Sequence, residues 1–506
     1  MKFLLNKPLD QASFEMWNKL DQPFKHAFIF VMGICLLAYG FEMTNLSLHH
    51  DDVNHIFMRV LGLGMGRFGF DWEHNYIQGG YFMPFLQMIE GITLMTIYGL
   101  MISHFWGARK TLDIVLIASI VCVFPFMGQI YQYETSVVAS SMAHFLVAAA
   151  VIVSTRASYL SIGFSAILYL AAFSIYQSVV ANAATIFVIW MLTKLLFAES
   201  NNSFFSKSMA KSLFTALASV LLGGVLYLAV VFSMDIEFDT YQASGQAFNM
   251  EGGFNLGLAI EKIITGTRAF FFWPEHYFPD YLKKIQLIFL LFAVIVSLWL
   301  PKKMSHKIAA LAILCMALIT PRILQFLHAE GLFHNLTITA YAVLIAACVM
   351  VVNRSGITFV RNLSAILAFI LIAGYVIQCN WISTVNKLNS MAHFSMVTQV
   401  LTRVRSLPNV DWDGKNIVVV GRYDMSSEYP FKIATGVATE FVDARHMKSI
   451  ARLMRDDALF VNADQNYPKV LEYASKNKTW PHPSSVAIVD GKGVVVFSKE
   501  IDQTVE

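Results

Sequence analysis

AFIFVMGICLLAYGFEMTNLSLHHDD, residues 27–52, sets the fold class of this chain. The run 27–43 is almost wholly apolar and approaches the roughly 20 residues that a helix needs to cross a hydrocarbon core. About eight residues beyond it stands an adjacent acidic pair, Asp51-Asp52. Two carboxylates so near a lipid boundary repel each other and lose hydration, and a plain turn is better made from Ser, Asn or Gly. The pair reads either as the chemistry of an enzyme working at the bilayer surface or as a solvated loop with two charges.

The remainder of the 506 residues has the same character. The chain is 56% hydrophobic and only 14% charged, with mean hydropathy +0.56, whereas a soluble domain carries about a quarter charged residues. It is therefore expected to be a polytopic α-helical membrane protein. A net charge of +3 gives no sign of a nucleic-acid partner. Cys35, Cys122, Cys315, Cys348 and Cys379 lie in or beside apolar segments, as small core hydrophobes rather than a disulfide framework or metal knuckle. About 25 polar, amphipathic residues precede the first apolar run, which is expected to stay as an anchor rather than be cleaved as a signal peptide.

Runs of spanning character fall at about 27–43, 83–104, 112–130, 136–154, 160–178, 181–197, 213–232, 285–300, 308–328, 336–352 and 363–377, eleven in all. The stretch 160–197 reads as two short helices or as one helix and a re-entrant piece. In an eleven-span chain with its N-terminus inside, the basic residues of the short connections all fall on one side. They are Lys2, Lys7, Lys19 and Lys25, then Arg109 and Lys110, Arg156, Lys207 and Lys211, Lys302, Lys303 and Lys307, and Arg354 and Arg361. That side is expected to be cytoplasmic. Three larger elements are left outside: the first loop, the loop after the seventh span, and everything past about Gln378.

Polar chemistry concentrates on the outer side. The first outer loop, 44–81, holds His49, His50, Asp51, Asp52, His55, Arg59, Arg67, Asp71, Trp72, Glu73 and His74. Its Gly62, Gly64, Gly66 and Gly69 follow a membrane helix rather than a strand, so a tight helix–loop connection is a better reading than a phosphate loop. His49, His50, Asp51, Asp52 and His55 have the residue types of a divalent metal site. Adjacent acids do not readily ligate one ion together, however, and no second cluster completes a shell, so no metal and no cofactor is assigned.

The second outer loop, 235–284, contains RAFFFWPEHYFPDY at 268–281, whose aromatics suit either an interfacial belt or a sugar-stacking wall. Arg322 follows Pro321 at the outer end of an apolar stretch. A guanidinium near lipid requires an anion, and its fork matches phosphate, with a salt bridge to another helix as the competing reading. Tyr176-Gln177-Ser178 ends another span on the same side. Glu90, His104 and His144, isolated within or beside spans, read as helix-packing groups.

Composition changes after Gln378. A polar helical stretch at 381–405 precedes a buried strand, NIVVVGR at 416–422. Helical periodicity returns at 444–456 and 467–476, and SVAIVDGKGVVVF at 485–497 is a hairpin with Asp490-Gly491 at its turn. The chain is thus read as a membrane domain, 1–378, and a small outer α/β domain, 379–506. The latter has no nucleophile elbow, phosphate loop or zinc motif, which favours acceptor binding or support over independent catalysis.

The order of these parts resembles the GT-C glycosyltransferases. More closely, LSLHHDD at 46–52, Gly66-Arg67 leading to Phe82-Met83-Pro84, and Tyr176-Gln177 resemble the serotype-converting O-antigen glucosyltransferase family, over roughly the membrane three-quarters of the chain. That resemblance implies transfer of glucose from a polyprenyl-phosphate carrier to a sugar of the O-antigen of lipopolysaccharide. The reaction would take place on the periplasmic face of the bacterial inner membrane. Asp51 or Asp52 would then be the base, and Arg322 with Arg67 would hold the donor phosphate. Glu73, His74, Tyr176, Gln177, Arg268, Trp273, Glu275 and His276 would bind substrate. A lipid-linked sugar flippase is the rival from another class, but it should carry paired, repeat-related broken helices around a midplane site, and the sequence displays none. A related enzyme with a lipid A or protein acceptor is the third reading.

Overall fold

The computed structural model describes residues 20–48, 52–53, 56–57, 62–197, 206–234, 255–273, 278–327, 333–408, 414–424 and 441–499, with Asn18, Ala329 and Trp412. Among these, eight helices are long and apolar enough to cross a membrane, from Gln22–Thr44 to Thr358–Arg405. A bent pair, Thr111–Cys122 and Pro125–Tyr131, makes a ninth if counted as one span, and Tyr159–Ile175 and Ala340–Asn353 are shorter apolar helices. Every apolar run read from the sequence coincides with helix. The stretch 160–197 forms two helices, Tyr159–Ile175 and Val179–Phe197.

Three features differ from the linear reading. The run 112–130 is not one straight helix but breaks by 54°. Pro125 opens the second half, and Phe124 before it is extended (φ −59°, ψ 135°), because proline disfavours helical backbone in its predecessor and has no N–H to continue the ladder. The break is packed by rings: Phe124 lies 5.2 Å from Phe126 and 5.3 Å from both Phe278 and Tyr375.

Secondly, part of the second outer loop is a helix, Leu256–Phe272. Its Phe270 and Phe271, with Phe278 beyond it, are buried in the membrane core rather than forming a belt or a sugar wall. Phe270 stacks on Tyr341 at 3.9 Å. Thirdly, the last span and the polar helical stretch are one element, Thr358–Arg405, of 48 residues. At 1.5 Å per residue it is about 70 Å long, more than twice the hydrocarbon thickness, and it runs unbroken through Gln378 into the C-terminal unit.

That unit contains a four-stranded sheet built from β1 (Asn416–Val420), β2 (Leu459–Asn462), β3 (Val486–Val489) and β4 (Lys492–Val496), in the order β2-β1-β4-β3. Strand β1 is parallel to both β2 and β4, and β3 is antiparallel to β4. The hairpin turns through Asp490 (φ 55°) and Gly491 (φ 68°), the left-handed pair that a type I′ turn requires. After Asn416, strand β1 is apolar and buried because both faces are covered. Ile417 and Val419 face Val397, Val400 and Val404 of the long helix, and Val418 and Val420 face Val470 and Ala474 of helix Pro468–Lys476.

Leu48 and Val53 of the first loop enter the same core. The Leu48 N–H reaches Ser390 Oγ at 3.4 Å, Lys387 donates to the Leu46 carbonyl at 2.6 Å, and Arg452 lies over the Phe57 ring at 4.4 Å. Leu46, Leu48, Val53 and Phe57 of the first loop are therefore clamped between the bundle and the C-terminal unit, at one end of the molecule.

Candidate functional site

Asp52, fully buried, lies against the start of the helix that follows Glu134. Its carboxylate accepts from the Glu134 N–H at 3.2 Å, the Thr135 N–H at 3.0 Å and the Thr135 hydroxyl at 2.8 Å. The two N–H groups are ones that a helix start cannot pair internally, so Asp52 acts as a cap supplied from more than eighty residues away. Two further buried carboxyl groups stand near it. Glu42 accepts from Asn386 Nδ2 at 2.9 Å and lies within electrostatic reach of Asp52. Glu134 is fully buried, with the Asp52 and Glu42 carboxylates and the Ser47 N–H around its own carboxyl. Asp51, with His49, His50, His55 and Arg59, lies outside the described residues.

Past this floor the glycine-rich run turns sharply, with Gly66 at φ +69°. Asp71 accepts from the Gly62 N–H and holds the turn closed; burial pushes its carboxyl upward, and the Gly62 and Leu63 N–H groups offset part of that. This is the tight connection read from the sequence. Gly69 then lets the chain touch the end of helix Tyr159–Ile175, since a Cβ there would sit 2.1 Å from Ser174 Oγ.

That approach delivers Arg67 to Tyr176 and Gln177. Arg67 Nε donates to Gln177 Oε1 at 3.2 Å, and its guanidinium lies 5.2 Å from the centre of the Tyr176 ring. Gln177 Nε2 in turn bonds the Met65 carbonyl at 2.8 Å and Tyr227 Oη at 3.0 Å, fixing its amide. Two motifs read apart in the sequence, Gly66-Arg67 and Tyr176-Gln177, thus form one cluster. The Arg67 terminal nitrogens are left without a hydrogen-bond partner among the described residues, as an anion clamp requires.

The Tyr176 hydroxyl donates to the Leu336 carbonyl at 2.9 Å, and the chain from there leads to Tyr341, which receives Arg322. Arg322 Nε donates to Tyr341 Oη at 3.0 Å, and Tyr341 donates to Thr267 Oγ1 at 3.2 Å. The guanidinium passes directly over Gly266, where a Cβ would lie 2.4 Å from Arg322 Cζ. Arg322 forms no ion pair among the described residues. Arg268, on the neighbouring helix, is exposed, and Trp273 at its end is half exposed. Glu275 and His276 lie outside the described residues.

Glu73 and His74 are both buried in a π-helical turn, Glu73–Ile77. Burial pushes the Glu73 carboxyl up to about 7; Gln78 offsets part of this and the Glu90 charge adds to it. Gln78 bridges onward to Glu90 at 2.8 Å. Among the described residues no group of three or more His, Cys, Asp or Glu is arranged to hold a metal ion.

Sequence reasoning missed Glu42 and Glu134. Each is a lone acid at the margin of an apolar segment, and the only available signal was the cost of placing a carboxylate there. His144, by contrast, packs helices as read: it meets the Ser140 carbonyl at 2.8 Å and Thr339 Oγ1 at 3.2 Å.

No curated protein matches the chain. A family model described as Glucosyl transferase GtrII matches residues 40–402, from the end of the first helix through nearly all of the long one, and so takes in Asp52, Arg67, Tyr176, Gln177 and Arg322. The chain belongs to that family, the serotype-converting O-antigen glucosyltransferases, and is a membrane glycosyltransferase.

Proposed function

We propose that the protein transfers a glucosyl group from a polyprenyl-phosphate carrier to a sugar hydroxyl of the O-antigen. Transfer takes place at the end of the bundle that bears the first loop and the C-terminal unit, the periplasmic face of the inner membrane. The acceptor oxygen bonds to the anomeric carbon as the bond from that carbon to the phosphate oxygen breaks. The hydroxyl proton passes to a carboxylate, and polyprenyl phosphate leaves as an anion. Such a leaving group needs no nucleotide fold, only fixed positive charge where negative charge develops. Attack from the side opposite the phosphate inverts the anomeric carbon.

The observation that carries this reading is the Arg67–Tyr176–Gln177 cluster, a positioned guanidinium at the same end of the bundle as the first-loop acids. Arg322, oriented by Tyr341, supplies the second cation. Asp51 or Asp52 is the base. The three bonds that Asp52 accepts from the start of a helix favour a division of labour, in which Asp52 anchors the loop and Asp51 takes the proton. Glu73, with its carboxyl near 7, His74, Arg268, Trp273, Glu275 and His276 contribute to the sugar sites.

The test uses purified protein, labelled polyprenyl-phosphate glucose and O-antigen acceptor. Transfer is expected with the wild type and lost in Asp51→Asn. If Asp51→Asn and Asp52→Asn both transfer at the full rate, neither is the base. Flipping of the lipid-linked sugar without transfer would overturn the enzyme reading, and inhibition by EDTA would establish a metal requirement.

A further inference from the structure

At the end of the bundle opposite the C-terminal unit, where helix Thr358–Arg405 begins, lies a cavity of about 290 Å³. Arg109, Lys110, Arg354 and Arg361 line it, with Asp113 as its only carboxylate and Asn353 beside it. None of the four cations is ion-paired among the described residues. Arg354 is held in place: its Nη1 donates to the Trp106 carbonyl at 3.0 Å, and its guanidinium covers the Phe197 ring at 4.0 Å. It also feels the repulsion of Arg109.

Two helices, Thr111–Cys122 and Thr358–Arg405, begin at this cavity. Their capping positions, Lys110 and Ile357, provide no side-chain hydrogen bond, so first-turn N–H groups from both remain to be satisfied. Two positive helix ends and four cations converge on one concavity, an arrangement that suits a phosphate. A general need for positive charge on one membrane face would account for the number of cations. It would not account for their convergence on two uncapped helix starts.

The rim identifies the source of the phosphate. Leu112, Ile357 and Phe359 beside the cavity are exposed, Phe359 at 76%, and they continue into the apolar surface of the spans. A water-soluble phosphate has no use for them, whereas the acyl chains of a lipid do. We infer that this cavity is a binding site for the phosphate headgroup of an anionic phospholipid, on the membrane face opposite the C-terminal unit.

Native mass spectrometry of the full chain, carrying phosphatidylglycerol and phosphatidylcholine at equal proportion, reads the preference directly. The wild type is expected to retain phosphatidylglycerol selectively. Lys110→Gln with Arg361→Gln should reduce that selectivity roughly fivefold for each cation removed, and Asp113→Asn should raise it. Lys302→Gln with Lys303→Gln, basic residues of the same face but outside the cavity, should leave it unchanged. Equal retention of the two lipids by the wild type overturns the site, and so does an unaltered preference in the cavity double variant. An equal loss in the Lys302, Lys303 control would reduce the effect to general surface charge and also overturn it. Displacement of phosphatidylglycerol by millimolar inorganic phosphate would assign the cavity to a soluble ligand. If the double variant fails to fold, Asp113→Asn decides alone, and no gain in selectivity overturns the proposal.

Discussion

At the end of the bundle that bears the C-terminal unit, Arg67 rests on Tyr176 and gives its Nε to Gln177, and Arg322 gives its own to Tyr341. At the other end, Arg109, Lys110, Arg354 and Arg361 crowd one cavity beside two helix starts. The first pair is separated in sequence and oriented by neutral hydrogen-bonding partners, which fix direction without neutralising charge. The second group is adjacent in the short connections and is pooled by helix alternation. A positioned guanidinium suits charge that develops during a reaction, and a pooled set suits a ligand whose charge is constant.

Four measurements bear on that contrast. The largest effect is expected from Arg322→Ala, which should lower kcat/KM for transfer by about 10²–10³-fold, the usual cost of deleting a donor that meets developing charge. Arg322→Lys should recover only part, lacking the Nε bond to Tyr341. Full activity in Arg322→Ala would erase the distinction between the two ends. Next is Asp52→Ala, which strips three donors of a buried acceptor and should destabilise the protein by about 3 kcal/mol, read from its unfolding in detergent. A loss of transfer at unchanged stability would instead make Asp52 the base.

A pH effect of similar or slightly smaller size belongs to Glu73. Its carboxyl is raised from 4.5 to about 7 in the folded protein, so the proton's contribution is complete below about 4.5 and is lost as pH rises through 7. Glu73→Gln keeps the neutral form, and its stability relative to wild type should increase between pH 5 and pH 8 by about 2–3 kcal/mol. A flat difference across that range would show a carboxyl that titrates normally. The smallest change is expected for Gln177→Ala, which releases Arg67 at a cost of about 1 kcal/mol. It should weaken donor binding several-fold while leaving the lipid selectivity of the opposite cavity untouched.

The C-terminal unit and the spans were largely legible because each rests on a local signal. Strand β1 is a short apolar run, the hairpin carries Asp490-Gly491, and each span is an apolar stretch of helical length. The break at Phe124 had its cause in plain view at Pro125, but proline is tolerated often enough in membrane helices that its presence alone does not give an angle. Helix Leu256–Phe272 was hidden because its aromatics read equally well as an exposed belt, and only the stacking of Phe270 on Tyr341 shows that Phe270 faces inward, while Phe272 stays exposed.

The sequence by itself determined the class of protein, the positions of the apolar helices, the family and the residue types available for chemistry, because apolar length, turn residues and short motifs act over a few positions. Only the tertiary structure decided which of those residues meet. Arg67 and Gln177 are 110 positions apart, and Asp52 caps a helix 82 positions away. Those contacts depend on how whole helices pack and on a close approach at Gly69, for which no local pattern in the chain carries a signal.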